Sequence, residues 1–234
     1  SEMCIRDRHQ RSPKERDEPV KLDTLTIDIG ASSKAEAEKY VSPGDCAYFR
    51  SDYTELGNGY LREKALDDRI GCAIMVDILN KNLPYDVTCV FTVQEEIGTR
   101  GAKVAAYTVK PDYAIVLETT TACDFSGNDG EKRVCELGKG CVVSYMDRST
   151  IYDRELYRLG FEKAKEINVP CQTKTLVAGG NDSGAIHSSV GGIRTVALSV
   201  PCRYLHSPSC MIKKSDVQST AELAYAMYLA LAEK

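Results

Sequence analysis

Three short apolar runs in this chain each lead into a side chain that can bind a metal ion. Residues 86–93 read Asp-Val-Thr-Cys-Val-Phe-Thr-Val, with Val87, Cys89, Phe91 and Val93 on one strand face and Val90 on the other. Their β-branched and aromatic content predicts a buried strand. Glu95 and Glu96 follow at once. Residues 113–117 form a second run, followed by Glu118, and residues 195–200 a third, followed by a segment ending on His206. A further acidic pair, Asp67 and Asp68, precedes a helix-like stretch over 69–79. Ligands of open α/β sheets sit outside the carboxyl ends of the strands. Asp67, Glu95, Glu96, Glu118 and His206 are therefore expected to gather at one sheet edge. Carboxylates with a histidine suit a zinc-like or cobalt-like divalent ion. Neighbouring residues at a strand exit point in different directions, so one glutamate can bind the ion while the other acts on water as a general base. A lone Glu-Glu pair is more simply a solvated acid pair at a helix N-terminus. The repeated placement at strand exits argues for a shared site.

The rest of the pattern alternates strands with helices. Ile70, Ala73, Ile74 and Ile78 make one helical stripe, and Leu156, Leu159, Ala164 and Ile167 a second. Val217, Ala221, Ala224, Met227, Tyr228 and Leu231 make a third, with Ser215 and Gln218 as a candidate capping box. This predicts an α/β fold with a mostly parallel sheet flanked by helices. The chain before residue 65 differs. Residues 1–21 read as a polar tail without periodicity. Strands are expected over 22–29, 46–50 and 60–64, around a turn at Gly57-Asn58-Gly59. A short helix capped by Ser33 and Glu36 is expected through Tyr40. The domain reading is thus a tail over 1–21, a β-rich part over 22–64 and an α/β domain over 65–234.

Several segments together resemble the tetrahedral and glutamyl aminopeptidases, the "cellulase M-like" group of two-metal exopeptidases. Lys64-Ala-Leu-Asp-Asp-Arg-Ile-Gly-Cys72 is similar to their bridging-aspartate motif. Thr92-Val-Gln-Glu-Glu-Ile-Gly-Thr-Arg-Gly-Ala102 is similar to their base-plus-ligand motif. Ala178-Gly-Gly-Asn-Asp-Ser-Gly-Ala-Ile-His187 resembles their substrate loop, and Arg203-Tyr-Leu-His-Ser207 their last ligand motif. Ile27-Asp-Ile-Gly-Ala-Ser-Ser33 resembles part of their inserted dimerisation domain. The resemblance implies a peptidase acting on free N-terminal residues. Glu95 would be the general base, working on a hydroxide shared by two divalent ions, zinc or cobalt. Asp67 would bridge the ions, with Glu96 and His206 completing one site and Glu118 serving the other. Gly179, Gly180, Asn181, Asp182, Ser183 and Arg203 would form the substrate-binding set. Residues 22–64 would be the remainder of the β-rich dimerisation domain, and the parent protein a high-order homo-oligomer.

The resemblance also implies something missing. Such enzymes carry an early Gly-His-x-Asp-Glu-type motif whose histidine holds the second ion, and this chain has only His9, His187 and His206. The sequence reads as N-terminally truncated, with residues 1–8 matching nothing in the family and resembling a cloning or assembly scar. The second site is expected to be incomplete and peptidase activity of the chain impaired. Two other readings are a different two-metal amidohydrolase, of deacylase or carboxypeptidase-like type, and a non-catalytic scaffold.

Composition limits the classes further. A net charge of −4 gives no electrostatic case for nucleic acid or an anionic membrane. No apolar run approaches the roughly 20 residues of a bilayer span. The ten cysteines contain no Cys-x-x-Cys pair and fall in strand- and helix-like runs, which suits buried thiols in a reducing cytoplasm.

Overall fold

The computed structural model describes residues 25–234. The expected tail, the possible scar at 1–8, His9 and residues 22–24 lie outside that range. The chain divides into two compact units, meeting in sequence between Tyr48 and Phe49.

The described part of the first unit, residues 25–48, holds one short helix, α1 (Lys34–Ala37). Ser33 caps it by accepting from the Glu36 N–H, while the Glu36 carboxylate turns back to Ser32 N–H and Oγ. The helix ends before the expected Tyr40. Residues 25–29 and 46–50 were expected as strands, and the structure corrects both: each is without ladder pairing among the described residues. A strand needs a hydrogen-bonded neighbour as well as the right side chains.

The second unit begins with a hairpin, β1 (Thr54–Leu56) and β2 (Tyr60–Glu63), turning through Gly57–Gly59. Asn58 sits at φ 63° in that turn, a conformation asparagine tolerates better than most residues. In chain order there follow α2 (Leu66–Leu79), α3 (Arg100–Val109), β3 (Tyr113–Thr121), β4 (Cys141–Val143), α4 (Arg154–Glu166), β5 (Cys171–Thr173), α5 (Ser183–His187), β6 (Arg194–Cys202), β7 (Cys210–Lys213) and α6 (Lys214–Ala232). The main sheet has the order β3-β6-β4-β5, with β3–β6 and β4–β5 parallel and β6–β4 antiparallel. β1, β2 and β7 form a second, antiparallel sheet. The expectation of a largely parallel sheet among helices holds for the main sheet.

Strand alternation sets what each face does. Ile115, Leu117, Val196, Leu198 and Val200 join the principal core with Leu66, Ile74, Leu156, Leu223 and Met227 of α2, α4 and α6. Val116 and Ala197 lie on the opposite face, packed with Tyr152 and Ile186. Glu118 and Ser199, paired in register, continue that second face and bring it to the cleft described below. β3 runs through Glu118 to Thr121, longer than the expected 113–117, so Glu118 lies inside the strand.

Two further expectations are corrected. Residues 86–93, expected as a buried strand, have no ladder partner among the described residues, and Val87, Val90, Phe91 and Val93 are exposed. The apolar pattern is present, but no described strand lies alongside to bond it. The Ser215–Gln218 capping box does not form, because α6 already starts at Lys214 and Gln218 donates to Glu222.

Asp216 of the first turn of α6 is buried and accepts from Gly138 N–H (2.7 Å) and Gly140 N–H (2.9 Å). It ties the loop before β4 to the last helix. Asp216→Ala strands two N–H groups and is expected to cost about 2 kcal/mol or more. Asp216→Asn, which still accepts, should cost less. Urea unfolding of both variants checks this, and equal losses would contradict the hydrogen-bond account.

Candidate active site

The backbone around the acidic side chains is shaped by residues in the left-handed region. Ala65 (φ 54°) precedes α2, and Asp67 and Asp68, joined by a cis peptide bond, depart from helical dihedrals at its start. Asp68 Oδ1 accepts from Gly71 N–H at 3.0 Å, so it caps the regular part of α2. Gln94 (φ 60°) precedes Glu95, and the Glu95 carbonyl accepts from Gly98 and Thr99 N–H. Gly101 donates to the Val93 carbonyl, and a Cβ on it would meet that oxygen at 2.5 Å. Only glycine allows so close a return, and this fixes the turn that carries both glutamates. His206, in the loop between β6 and β7, also has positive φ (54°). Non-glycine residues held this way are uncommon and gather at functional sites.

These segments bring the expected residues together. His206 Nε2 lies 3.1 Å from Asp67 Oδ2 and 3.7 Å from Glu96 Oε2. Ligand atoms of Asp67, Glu96 and His206 all fall within 4.8 Å of one another, and so do those of Asp67, Asp68 and Glu118. Asp67 belongs to both groups. Glu95 lines the same cleft, of about 1360 Å³, with Asp67, Glu96, Glu118 and His206.

The electrostatics follow from this crowding. Burial, joined by the charges of Asp68, Asp67, Glu95 and Asp182, pushes the Glu118 carboxyl up to about 10. Burial likewise raises Asp68 to about 8, against the pull of the Gly71 N–H. Glu95 rises to about 7 through partial burial and the nearby Glu96, Asp182 and Asp67, partly offset by His206. Such a set of acids suits a divalent cation, which removes the repulsion that holds the protons on.

The loop over 178–184 forms another wall. Gly179, Gly180 and Asn181 line the cleft. Asp182 and Ser183 are buried behind it, with Asp182 Oδ2 accepting from Thr92 Oγ1 at 2.6 Å. Arg203 lies outside the lining residues and pairs with Asp124. His187 Nδ1 is 2.9 Å from the Ser183 carbonyl, a local contact within α5.

A supporting network was not anticipated from the sequence. Buried Asp147 accepts from Ser149 N–H and Oγ, from Thr150 N–H, and from Tyr152 Oη at 2.6 Å. Asn181 Nδ2 donates to Tyr152 Oη at 3.2 Å. A Cβ on Gly180 or Gly184 would meet Ser149 Oγ at 2.6 or 2.7 Å. The wall thus rests on the 147–152 turn. Its sequence signal was an aspartate two residues before a serine, the pattern of an Asx turn.

The family model of the M42 glutamyl aminopeptidases matches residues 3–223. The chain belongs to that family. It is 41% identical over 208 residues to a putative aminopeptidase of Acetivibrio thermocellus, covering 87% of this chain and 62% of the relative. It is 33% identical over 222 residues to the lysyl aminopeptidase of Pyrococcus furiosus, covering 93% and 63%. An aminopeptidase structure from Desulfurococcus kamchatkensis superposes with a TM-score of 0.87 at 32% identity, over 92% of this chain and 62% of that one. The TET1 peptidase of Pyrococcus horikoshii gives 0.74 at 31%, over 92% and 66%. This M42 chain therefore spans a little over three fifths of the length of these relatives.

The raised carboxyls predict a pH dependence. Glu95, Asp68 and Glu118 titrate higher in the folded chain than their ordinary values of 4.5, 3.8 and 4.5. The folded state then binds more protons than the unfolded one, so their contribution is full at low pH and is lost as pH rises toward their folded values. With chelator present, the urea midpoint should fall between about pH 5.5 and pH 8. Excess zinc should flatten that fall. A midpoint that rises over this range in chelator would contradict the crowding.

Proposed function

We propose that this chain carries the metal centre and general base of an aminopeptidase that removes N-terminal residues from peptides. The supporting observation is Asp67, shared between the group with Glu96 and His206 and the group with Asp68 and Glu118. One group combines two carboxylates with an imidazole, enough for an open zinc-like or cobalt-like position. The other is all carboxylate and holds such an ion more loosely. Divalent ions at these residues, when bound, acidify water and polarise a peptide carbonyl.

The chain's own residues do the rest. Glu95 takes a proton from the attacking water and delivers it to the leaving amine. Partial burial and neighbouring acids already favour its protonated form, which suits a group that must hold a proton between two steps. Gly179, Gly180 and Asn181 form a wall along the peptide, held from behind by Asp182, Ser183 and the Asp147 turn. Arg203, paired with Asp124, steadies the loop that presents His206.

Glu95→Gln keeps the shape and removes the base. In the full-length gene product, kcat should fall roughly 10²-fold or more with ion content unchanged. Near-normal turnover would exclude Glu95 from this role. Release of free-amine substrates with rejection of N-acetylated ones separates an aminopeptidase from a deacylase. Retained ions without hydrolysis of either would favour a scaffold.

Self-association is the second part of the reading. The Pyrococcus horikoshii TET1 peptidase can assemble into a tetrahedron or a large octahedral shell. We assign the 22–64 segment to dimerisation and expect a high-order homo-oligomer. Light scattering that gave a monomer for the full-length protein would contradict this. A reducing cytoplasm suits the nine described cysteines, all free thiols.

A further inference from the structure

Asp182 stands immediately before α5, where an aspartate ordinarily caps a helix by accepting from its first N–H groups. Here its carboxylate makes no capping bond. Asn181 Oδ1 accepts from Ser183 N–H at 2.8 Å instead. The Asp182 side chain is turned to Thr92, whose Oγ1 donates to Oδ2 at 2.6 Å. Asp182 is 6% exposed, and its other oxygen, Oδ1, has no hydrogen-bond partner among the described residues. A buried carboxylate that forgoes the cap and leaves one oxygen unpaired is costly. What the arrangement gains is the contact with Thr92.

The two ends of that bond belong to different parts of the cleft. Thr92 comes just before the turn that carries Glu95 and Glu96. Among the described residues no backbone hydrogen bond holds 86–92 to the rest of the chain. Within the turn, Gly101 and Arg100 N–H return to the Val93 and Gln94 carbonyls. The turn is thus closed upon itself, and other contacts must set its place in the cleft. α3, which continues the turn, packs on α5 with Ala102 and Ala106 buried. The Thr92–Asp182 bond reaches the start of that same α5. Asp182 in turn adjoins Asn181, which lines the cleft and is held by Tyr152 and the Asp147 turn. A short, charge-assisted bond therefore connects the wall of the cleft to the segment that presents Glu95.

We propose that Thr92 and Asp182 are positioning residues, whose hydrogen bond fixes the Glu95 turn against the 178–181 wall so that a peptide held by the wall meets the base at the right distance. This rests on the aminopeptidase reading above and deepens it. Neither residue lines the cleft, so their effect passes through Glu95. A displacement near 1 Å at a reacting group can cost about 10²-fold in rate.

The test is steady-state kinetics of the full-length gene product on a panel of free-amine aminoacyl-anilides, with bound metal measured alongside. Thr92→Val keeps the shape and removes the donor. It should lower kcat roughly 10- to 100-fold, with KM and ion content close to wild type. Thr92→Ser restores the donor and should recover most of kcat. A merely structural bond would lower the urea midpoint and leave kcat of the folded enzyme in place. With Glu95→Gln already present, Thr92→Val should add less than about 3-fold, because both changes disable one group. An undiminished kcat in folded Thr92→Val overturns the inference, and so does a full further loss in the Glu95→Gln background. Either result leaves the aminopeptidase reading intact. If Thr92→Val does not fold, Asp182→Asn decides, since it exchanges the charge-assisted bond for a neutral one. A several-fold drop in kcat at unchanged KM then supports the inference, and an unchanged kcat overturns it. No hydrolysis of any free-amine substrate by the ion-loaded wild type would defeat both readings.

Discussion

Mutual repulsion among carboxylates is the constraint around which the second unit is arranged. Asp67, Asp68, Glu95, Glu96 and Glu118 meet at one cleft. Two like charges 4–5 Å apart repel by about 3–4 kcal/mol at an effective dielectric of about 20. The fold tolerates this through the packing beneath it. The β3–β6 pair runs in register for nine residues, and its inner face is closed by the principal core. Glu118 is therefore held by a strand that cannot easily yield. Raised proton affinities at Glu118 and Asp68 are the other consequence. A bound cation would relieve the repulsion that raises them.

Backbone geometry and chemistry are coupled throughout this cleft. The segments bearing Asp67, Glu95 and His206 each contain a non-glycine residue at positive φ, and Gly101 closes the glutamate turn where no Cβ fits. The wall opposite is held by buried side chains, with Asp147 collecting four donors and Tyr152 relaying to Asn181. A cleft supported in this way has little to reorganise when a ligand enters, which is where preorganised sites gain their advantage.

Much of the site was legible in the sequence because its signals are local. Strand runs ending in Glu118 and leading to His206 could be read from period and composition, and Asp67 was marked by the helix it precedes. The resemblance to two-metal exopeptidases supplied the distinct parts expected of Glu95 and Glu96. The failures share one cause, because strand identity depends on a neighbour. Residues 86–93 and 46–50 have strand-like composition but no described strand beside them. Asp216 was hidden for a related reason, since its partners Gly138 and Gly140 lie far away in sequence.

The arrangement of ions is the most direct test of this account. Crystals of the protein, titrated with zinc and measured at the zinc absorption edge, would locate bound ions without reference to activity. The account predicts a first anomalous peak among Asp67, Glu96 and His206, and at higher zinc a second peak against Asp67 and Glu118. Ions that bind elsewhere, or a first site that leaves out Asp67, would contradict it.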